Sequence, residues 1–239
     1  MISIIIPTLN EEKVIEKTLS VFSQCSLPHE IIISDGWSKD KTVSIAQTYT
    51  SKIISHQGVH RQTIAEARNL GASLAQGEFF VFLDADVIIP DPRFFFQTLI
   101  DSFIQNPQRV AATVCQRALP EVETRADQFF FKAINMTLYC FNNLLWVGWA
   151  SWEFQMIRAS AFKQCWWYNT TLAVAEDNDL FRRLAKKGKT TIMMNLFVMH
   201  PVRRAHQKGW ITLIIIWRKN RLSVILFKRS YDTIWEEIR

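Results

Sequence analysis

The chain predicts an α/β fold with a mostly parallel sheet flanked by helices. Three observations carry this. Short apolar runs at 2–6, 30–34 and 79–83 read as buried strands. Stretches with helical spacing lie between them, as right-handed βαβ units require. Carboxylates cluster just past two of the runs, where the carboxyl ends of parallel strands bind ligands.

Each element has a local reason. After the strand 2–6, Glu11 to Gln24 carries Val14, Ile15, Leu19 and Phe22 on one face, and Asn10 is its expected N-cap. The strand 30–34 precedes a helix from Lys39 to Tyr49 and a short strand from Lys52 to Ser55. Thr63 to Ala75 is a helix that Gly77 is expected to close. The aromatic strand 79–83 follows. Beyond Pro90 and Pro92 the pattern predicts a helix over 94–104, a strand over 109–116 and a long helix over 123–145. A strand at 154–158, a helix from Glu176 to Lys187 ended by Gly188, a strand at 190–194 and a helix over about 210–228 complete the reading.

Bulk composition narrows the classes. With 239 residues, 49% of them hydrophobic, the chain suits one domain with an appendage. The net charge of +6 suits an anionic nucleotide or an anionic membrane face, and no nucleic-acid partner is expected. Cys25, Cys115, Cys140 and Cys165 form no close pair, so neither a zinc site nor a disulfide framework is expected, and a reducing compartment is. The first strand begins at Ile2, so a leader is not expected.

The most informative feature is Asp84-Ala85-Asp86. Carboxylates at i and i+2 on an extended segment point the same way. Such crowding is costly unless a cation joins them, and a hard divalent ion carrying a diphosphate does so. The bland alternative is a solvated polar turn. Other segments add to this one: Pro7-Thr8-Leu9-Asn10-Glu11-Glu12, Ser34-Asp35-Gly36, Ala67-Arg68-Asn69-Leu70-Gly71, and Ala175-Glu176-Asp177-Asn178-Asp179-Leu180. In this order they resemble the family-2 glycosyltransferases, closely over about 1–90 and more loosely over 150–205.

That resemblance implies the GT-A nucleotide-sugar fold over residues 1–205. A nucleotide-binding half would span about 1–90 and an acceptor half about 91–205, with a basic, Trp-rich helical extension at 206–239. It also implies an inverting, metal-dependent transfer from a UDP- or GDP-linked sugar to a hydroxyl acceptor, with a lipid-linked acceptor among those allowed. Pro7, Thr8, Asn10, Glu11, Asp35, Arg68, Asp84 and Ala85 would contact the donor. Asp86 and Asp84, with His200 as a third ligand, would hold Mg²⁺ or Mn²⁺. Asp177 would be the general base, with Glu176 positioning the acceptor. Arg203 and Arg204 would meet phosphates of the donor or acceptor, and Arg61 would cover the donor phosphates from its loop.

Each role has a structural alternative. Asp35 also fits a turn beside Gly36, Arg68 a helix surface, Glu176-Asp177 a helix N-terminus, and His200 a hydrogen-bonded strand end. The chain departs from the family at Trp37 and at Cys165-Trp166-Trp167-Tyr168-Asn169, which replaces a Gly-Gly-Phe segment that frames the acceptor. A nucleotidyltransferase would need a glycine-rich loop after the first strand, and Pro7 to Glu12 has no glycine. A non-catalytic scaffold is disfavoured by the presence of Asp84, Asp86 and Asp177.

Residues 133–152 carry no formal charge but hold Asn135, Asn142 and Asn143, which suits an acceptor-lining helix better than a membrane span. The stretch 210–227 has Trp at 210 and 217 and the basic break Arg218-Lys219-Asn220-Arg221. It suits a helix in the headgroup region, placing the protein in the cytoplasm or peripherally on the inner membrane face. Packing on the domain or on a second subunit, giving a homodimer, is the other reading.

Overall fold

The computed structural model describes residues 1–23 and 25–232. Gln24, the expected end of the first helix, and the last seven residues of the extension lie outside the described residues. Seven strands form one sheet. They are β1 (Ile2–Thr8), β2 (His29–Asp35), β3 (Ile53–Ser55), β4 (Phe79–Leu83), β5 (Arg109–Ala118), β6 (Phe154–Arg158) and β7 (Lys189–His200), in the order β3-β2-β1-β4-β6-β5-β7. Only β6 runs against its neighbours. The expected mostly parallel α/β sheet is therefore present.

Both faces of the sheet are buried, because side chains alternate along each strand. Ile2, Ile4, Ile6, Val81 and Leu83 pack on α1 (Ile15–Phe22) and α4 (Pro92–Gln105). Ile5, Ile32, Phe80 and Phe82 face the other way, toward α3 (Ile64–Ser73), α6 (Ala159–Gln164) and α7 (Glu176–Leu184). Of the remaining helices, α2 (Thr42–Ala46) is short. Thr124 and Asp127 form a capping box that starts α5 (Arg125–Tyr139), which continues as a π-helical turn, Cys140–Leu144. The chain then closes with α8 (Arg203–Lys208) and α9 (Trp210–Phe227).

Several local expectations are corrected. Asn10 caps no helix. Its φ is 53°, its Oδ1 accepts from Lys39 N at 2.6 Å, and α1 begins only at Ile15 after a turn closed on Glu11 O. Asn10 instead ties the β1 loop to the β2 loop. Gly77 and Gly188 do not end helices through left-handed backbone, since neither has positive φ. They are glycines because a Cβ would meet Ser3 N at 2.7 Å and Gln108 O at 2.5 Å, respectively. The last strand runs to His200 rather than Met194, past a register shift that leaves Met194, Asn195 and Leu196 between paired residues. The helices α6 and α8 were not expected, and α8 runs across the 205/206 boundary.

The extension packs on the domain. Trp210, Leu213, Val202 and Ala205 form a cluster with Phe131 and Ala118. The outward face of α9 exposes Ile211, Ile215, Leu222, Leu226 and Phe227. No helix among the described residues is long and apolar enough to cross a membrane.

One close approach bears on the site. A Cβ on Gly71 of α3 would meet Ile5 Cγ2 of β1 at 2.5 Å, so α3 sits tightly on the sheet and places Arg68 one turn earlier. Gly71→Ala should therefore cost about 1–3 kcal/mol by overpacking. Urea denaturation checks this, and an unchanged midpoint would show that α3 has slack against the sheet.

Candidate active site

The carboxyl ends of the parallel strands open onto one cleft of about 1080 Å³. Pro7, Thr8, Glu11, Arg68, Asp84, Ala85, Asp86, Glu176, Asp177, His200, Arg203 and Arg204 all line it, and Arg61 reaches it from its loop. Asp35 and Asn10 are not in its wall. Asp35 is buried, and its oxygens accept from Thr8 Oγ1, from the Trp37 and Ser38 amides and from Ser38 Oγ. Its carboxylate thus fixes the turn that carries Gly36, which does line the cleft.

Arg68 is the hub. It is 2% exposed, yet it lies on a helix whose spacing reads as surface. Its guanidinium donates to Glu176 Oε1 at 2.9 Å, Asp84 Oδ1 at 3.2 Å and the Trp152 carbonyl at 3.0 Å. One side chain therefore joins α3, the end of β4, the segment before β6 and the start of α7. The neighbouring Asn69 exchanges two hydrogen bonds with the Tyr168 backbone and pins the Trp166–Asn169 loop to the same helix.

The acidic pair begins α7 without a side-chain cap. Ala175 takes left-handed backbone at φ 67°, and Glu176, Asp177 and Asp179 fill the first turn, where the helix dipole favours negative charge. Asp177 Oδ1 accepts from its neighbour's amide, Asn178 N, at 2.6 Å. Burial raises both carboxyls, Glu176 to about 8, with Asp177 adding to that rise and Arg68 opposing it. Burial at the cleft floor likewise pushes Asp84 up to about 6, with Asp86 and Asp177 adding and Arg68 opposing.

Asp86 lies on the other side of Ala85 and accepts from Arg203 Nη2 at 2.6 Å, while the same nitrogen reaches Glu11 at 3.4 Å. His200 ends β7. Burial, helped by Arg203, holds its imidazole down to about 4, so at neutral pH it is uncharged and able to act as a ligand. Its Nε2 lies 3.4 Å from Glu153.

Glu153 is the residue the sequence reading missed. It is 4% exposed, lines the cleft, and has one carboxyl oxygen with no hydrogen-bond partner. Burial, and then Asp84, raise its pKa well above the carboxylate range. A lone acid in the aromatic run Trp149 to Phe154 was its only signal.

A divalent cation suits these donors. Among the described residues no three acidic, His or Cys side chains converge as a closed metal site. Asp84 and Asp86 follow β4 and His200 ends β7, and these are the side chains that would hold such a cation.

Proton linkage follows from the raised carboxyls. A carboxyl whose pKa rises on folding stabilises the folded chain below its unfolded value, and this is lost as pH climbs through the folded value. With Asp84 at about 6 and Glu176 at about 8, the ligand-free thermal midpoint should fall between pH 5 and 8. Glu176→Gln should flatten the decline between pH 6 and 8. A wild-type midpoint that stays level or rises across this window contradicts the assignment.

Comparisons with known proteins agree with the geometry. Residues 3–166 match the model of glycosyl transferase family 2. A PGL/p-HBAD biosynthesis glycosyltransferase of Mycobacterium bovis is 38% identical over 90 residues, 36% of this chain and 35% of that protein. A 4,4'-diaponeurosporenoate glycosyltransferase of Staphylococcus haemolyticus is 33% identical over 112 residues, 45% of this chain and 30% of that protein. The chain spans about a third of the length of these curated relatives. Among solved structures, the mannosyltransferase PcManGT from Pyrobaculum calidifontis, in complex with GDP-Man and Mn²⁺, has a TM-score of 0.72 at 18% identity, over 92% of this chain and 61% of that one. TarS of S. aureus in complex with UDP-GlcNAc has a TM-score of 0.61 at 18% identity, over 83% and 57%. These likenesses are of fold, and the fold is GT-A. The family model covers more than half of the sequence, and the chain belongs to glycosyl transferase family 2.

Proposed function

We propose that this glycosyltransferase moves a sugar from a UDP- or GDP-linked donor to the hydroxyl of an acceptor, a lipid-linked one included, with inversion at the anomeric carbon. The observation that carries this is the Asp84–Arg68–Glu176 bridge, which puts the cation-type carboxylates and the candidate base in one cleft. The solved neighbours bound to GDP-Man and UDP-GlcNAc support the donor class.

In this reading the donor lies against Pro7, Thr8, Glu11 and Ala85, over the turn that Asp35 and Asn10 hold. Asp84 and Asp86, with His200, would hold Mg²⁺ or Mn²⁺, which when bound neutralises the diphosphate. Arg203 gives up Asp86 for phosphate oxygens as the donor enters, and Arg204 and Arg61 add positive charge beside it. Asp177 accepts the acceptor's proton as its oxygen bonds to the anomeric carbon. The bond from that carbon to the diphosphate oxygen breaks on the opposite face, and the electron pair leaves with the nucleotide. Glu176 keeps Arg68 in place and orients the acceptor side of the base.

Asp177→Asn keeps the shape but cannot take the proton. Turnover should fall by about 10²–10⁴-fold, while donor affinity barely changes. The product's anomeric configuration, read by NMR, should be opposite to the donor's, and retention would rule out a single displacement. In the same assay Asp86→Ala should abolish transfer and remove the Mn²⁺ dependence of nucleotide binding. A variant that transfers like the parent would reject the cation assignment.

Peripheral membrane contact is part of the proposal, supported by the exposed Ile211, Ile215, Leu222, Leu226 and Phe227 alongside Arg218, Lys219 and Lys228. The protein should sediment with anionic vesicles at low salt and be released at high salt, because salt screens surface charge. Failure to bind at any salt would leave α9 as a helix packed on the domain alone.

A further inference from the structure

The cleft is large. At about 1080 Å³ it meets the top of the range of about 300–1,000 Å³ typical of ligand pockets. Its character also changes along its length. Past Asp177 the walls become apolar, with Phe130, Ile134 and Phe141 from the α5 side facing Leu213, Ile214 and Trp217 from α9. Trp152, whose carbonyl anchors Arg68, packs its ring 4.3 Å from that of Trp217. The apolar channel is thus continuous with the reaction centre.

Two arginines of α9, Arg218 and Arg221, line this half of the cleft among the described residues, and Arg221 is the half-buried one. Arg221 of α9 lines the cleft, with its guanidinium 3.4 Å from the Trp149 ring centre and 4.9 Å from that of Phe141. It has no hydrogen bond and no carboxylate partner among the described residues, so aromatic faces are its sole favourable contacts there. Burial, together with repulsion from Arg182, pushes its pKa down to about 10. Arg182 sits on α7 five residues, or about 7.5 Å of helix rise, beyond Asp177. A contact with the Trp149 ring satisfies none of its five N–H donors, which are left to something else. A half-buried guanidinium of this kind, walled by hydrocarbon, is complementary to an anion that itself carries hydrocarbon.

We propose that the α5–α9 half of the cleft binds an amphiphilic acceptor in which a phosphate joins the hydroxyl-bearing head to a hydrocarbon chain. The chain lies along Phe130, Ile134, Leu213 and Trp217, the phosphate meets Arg221, and the hydroxyl reaches Asp177. This rests on the transferase reading above, and it names the acceptor's class and the residue that selects it.

The test uses the full chain and three probes below their micelle concentrations: dodecyl phosphate, dodecanol and inorganic phosphate. Fluorescence of Trp149, Trp152 and Trp217 reports binding. Dodecyl phosphate should bind saturably, at least about tenfold tighter than dodecanol, and inorganic phosphate should not compete. Arg221→Gln should erase the preference yet keep dodecanol binding. Ala133→Glu, at an exposed position lining the groove, should abolish binding of both chains. Equal affinity for the two chains in the parent overturns the proposal. So does competition by inorganic phosphate, or binding only to dioleoylphosphatidylglycerol vesicles. Thermal shifts with nucleotide sugars and Mn²⁺ on the same preparations separate the two readings. Intact donor binding without dodecyl phosphate binding rejects the amphiphile site alone. Absent donor binding rejects the transferase assignment, whatever the amphiphile does.

Discussion

The site depends on one buried cation. Arg68 is 2% exposed, and its three hydrogen bonds form only if α3, the end of β4, the Trp152 segment and the start of α7 all arrive at their observed places. A buried guanidinium with a partner removed is strongly destabilised, by about 3–5 kcal/mol, so the network tolerates no loose member. The same charge sets the acid–base character of the cleft. It opposes the rise that burial imposes on Asp84, Glu176 and Asp177. Without it, all three carboxyls would rise further.

Topology explains why so many acids meet. In parallel strands every carboxyl end lies on the same edge, which brings together the residues at the ends of β1, β2, β4 and β7. The strand β6 runs the other way, so its beginning falls on that edge. Leu83 pairs with Phe154, which sets Glu153 beside Asp84. Glu153 and His200 then close the floor beneath Asp86. Burial holds the His200 imidazole uncharged at neutral pH and pushes the Glu153 carboxyl up, which limits the repulsion a cluster of this density would otherwise suffer.

Charge and oil are divided between the two ends of the cleft. The end built on the sheet holds carboxylates and Arg203. The end built from α5 and α9 holds aromatic rings, with the Arg221 guanidinium against the Trp149 ring. This division comes from the way the C-terminal helices return: Trp210 and Leu213 dock on Phe131, and Trp210 Nε1 donates to the buried Asp127 at 2.7 Å. The carboxylate that caps α5 therefore also anchors α9.

Much of this was legible in the residues themselves. Contiguous apolar runs can bury both faces only as inner strands, so β1, β2 and β4 follow from composition. Asp84 and Asp86 mark the carboxyl end of β4, although they lie in a turn and not on extended backbone, one pairing with Arg68 and the other with Arg203, and Glu176-Asp177 at a helix start is electrostatically self-consistent. Other features depend on partners distant in sequence. Nothing local to Arg68 predicts its burial, to which Glu176, 108 positions away, contributes. Asn10 reads as a cap until the Lys39 amide takes its side chain. Met194 reads as the strand's last residue until a register shift lets β7 continue to His200. Glu153 shows locally only as a lone acid among aromatics and Arg221 only as one member of a basic break, because their surroundings arise from an antiparallel strand and a returning helix. The sequence by itself determined the sheet, its edge and the acids on that edge, since those rest on periodicities of two and 3.6 residues. Tertiary structure alone decided which charges are buried and which are left without partners, because burial and pairing are properties of contacts between elements and not of any one of them.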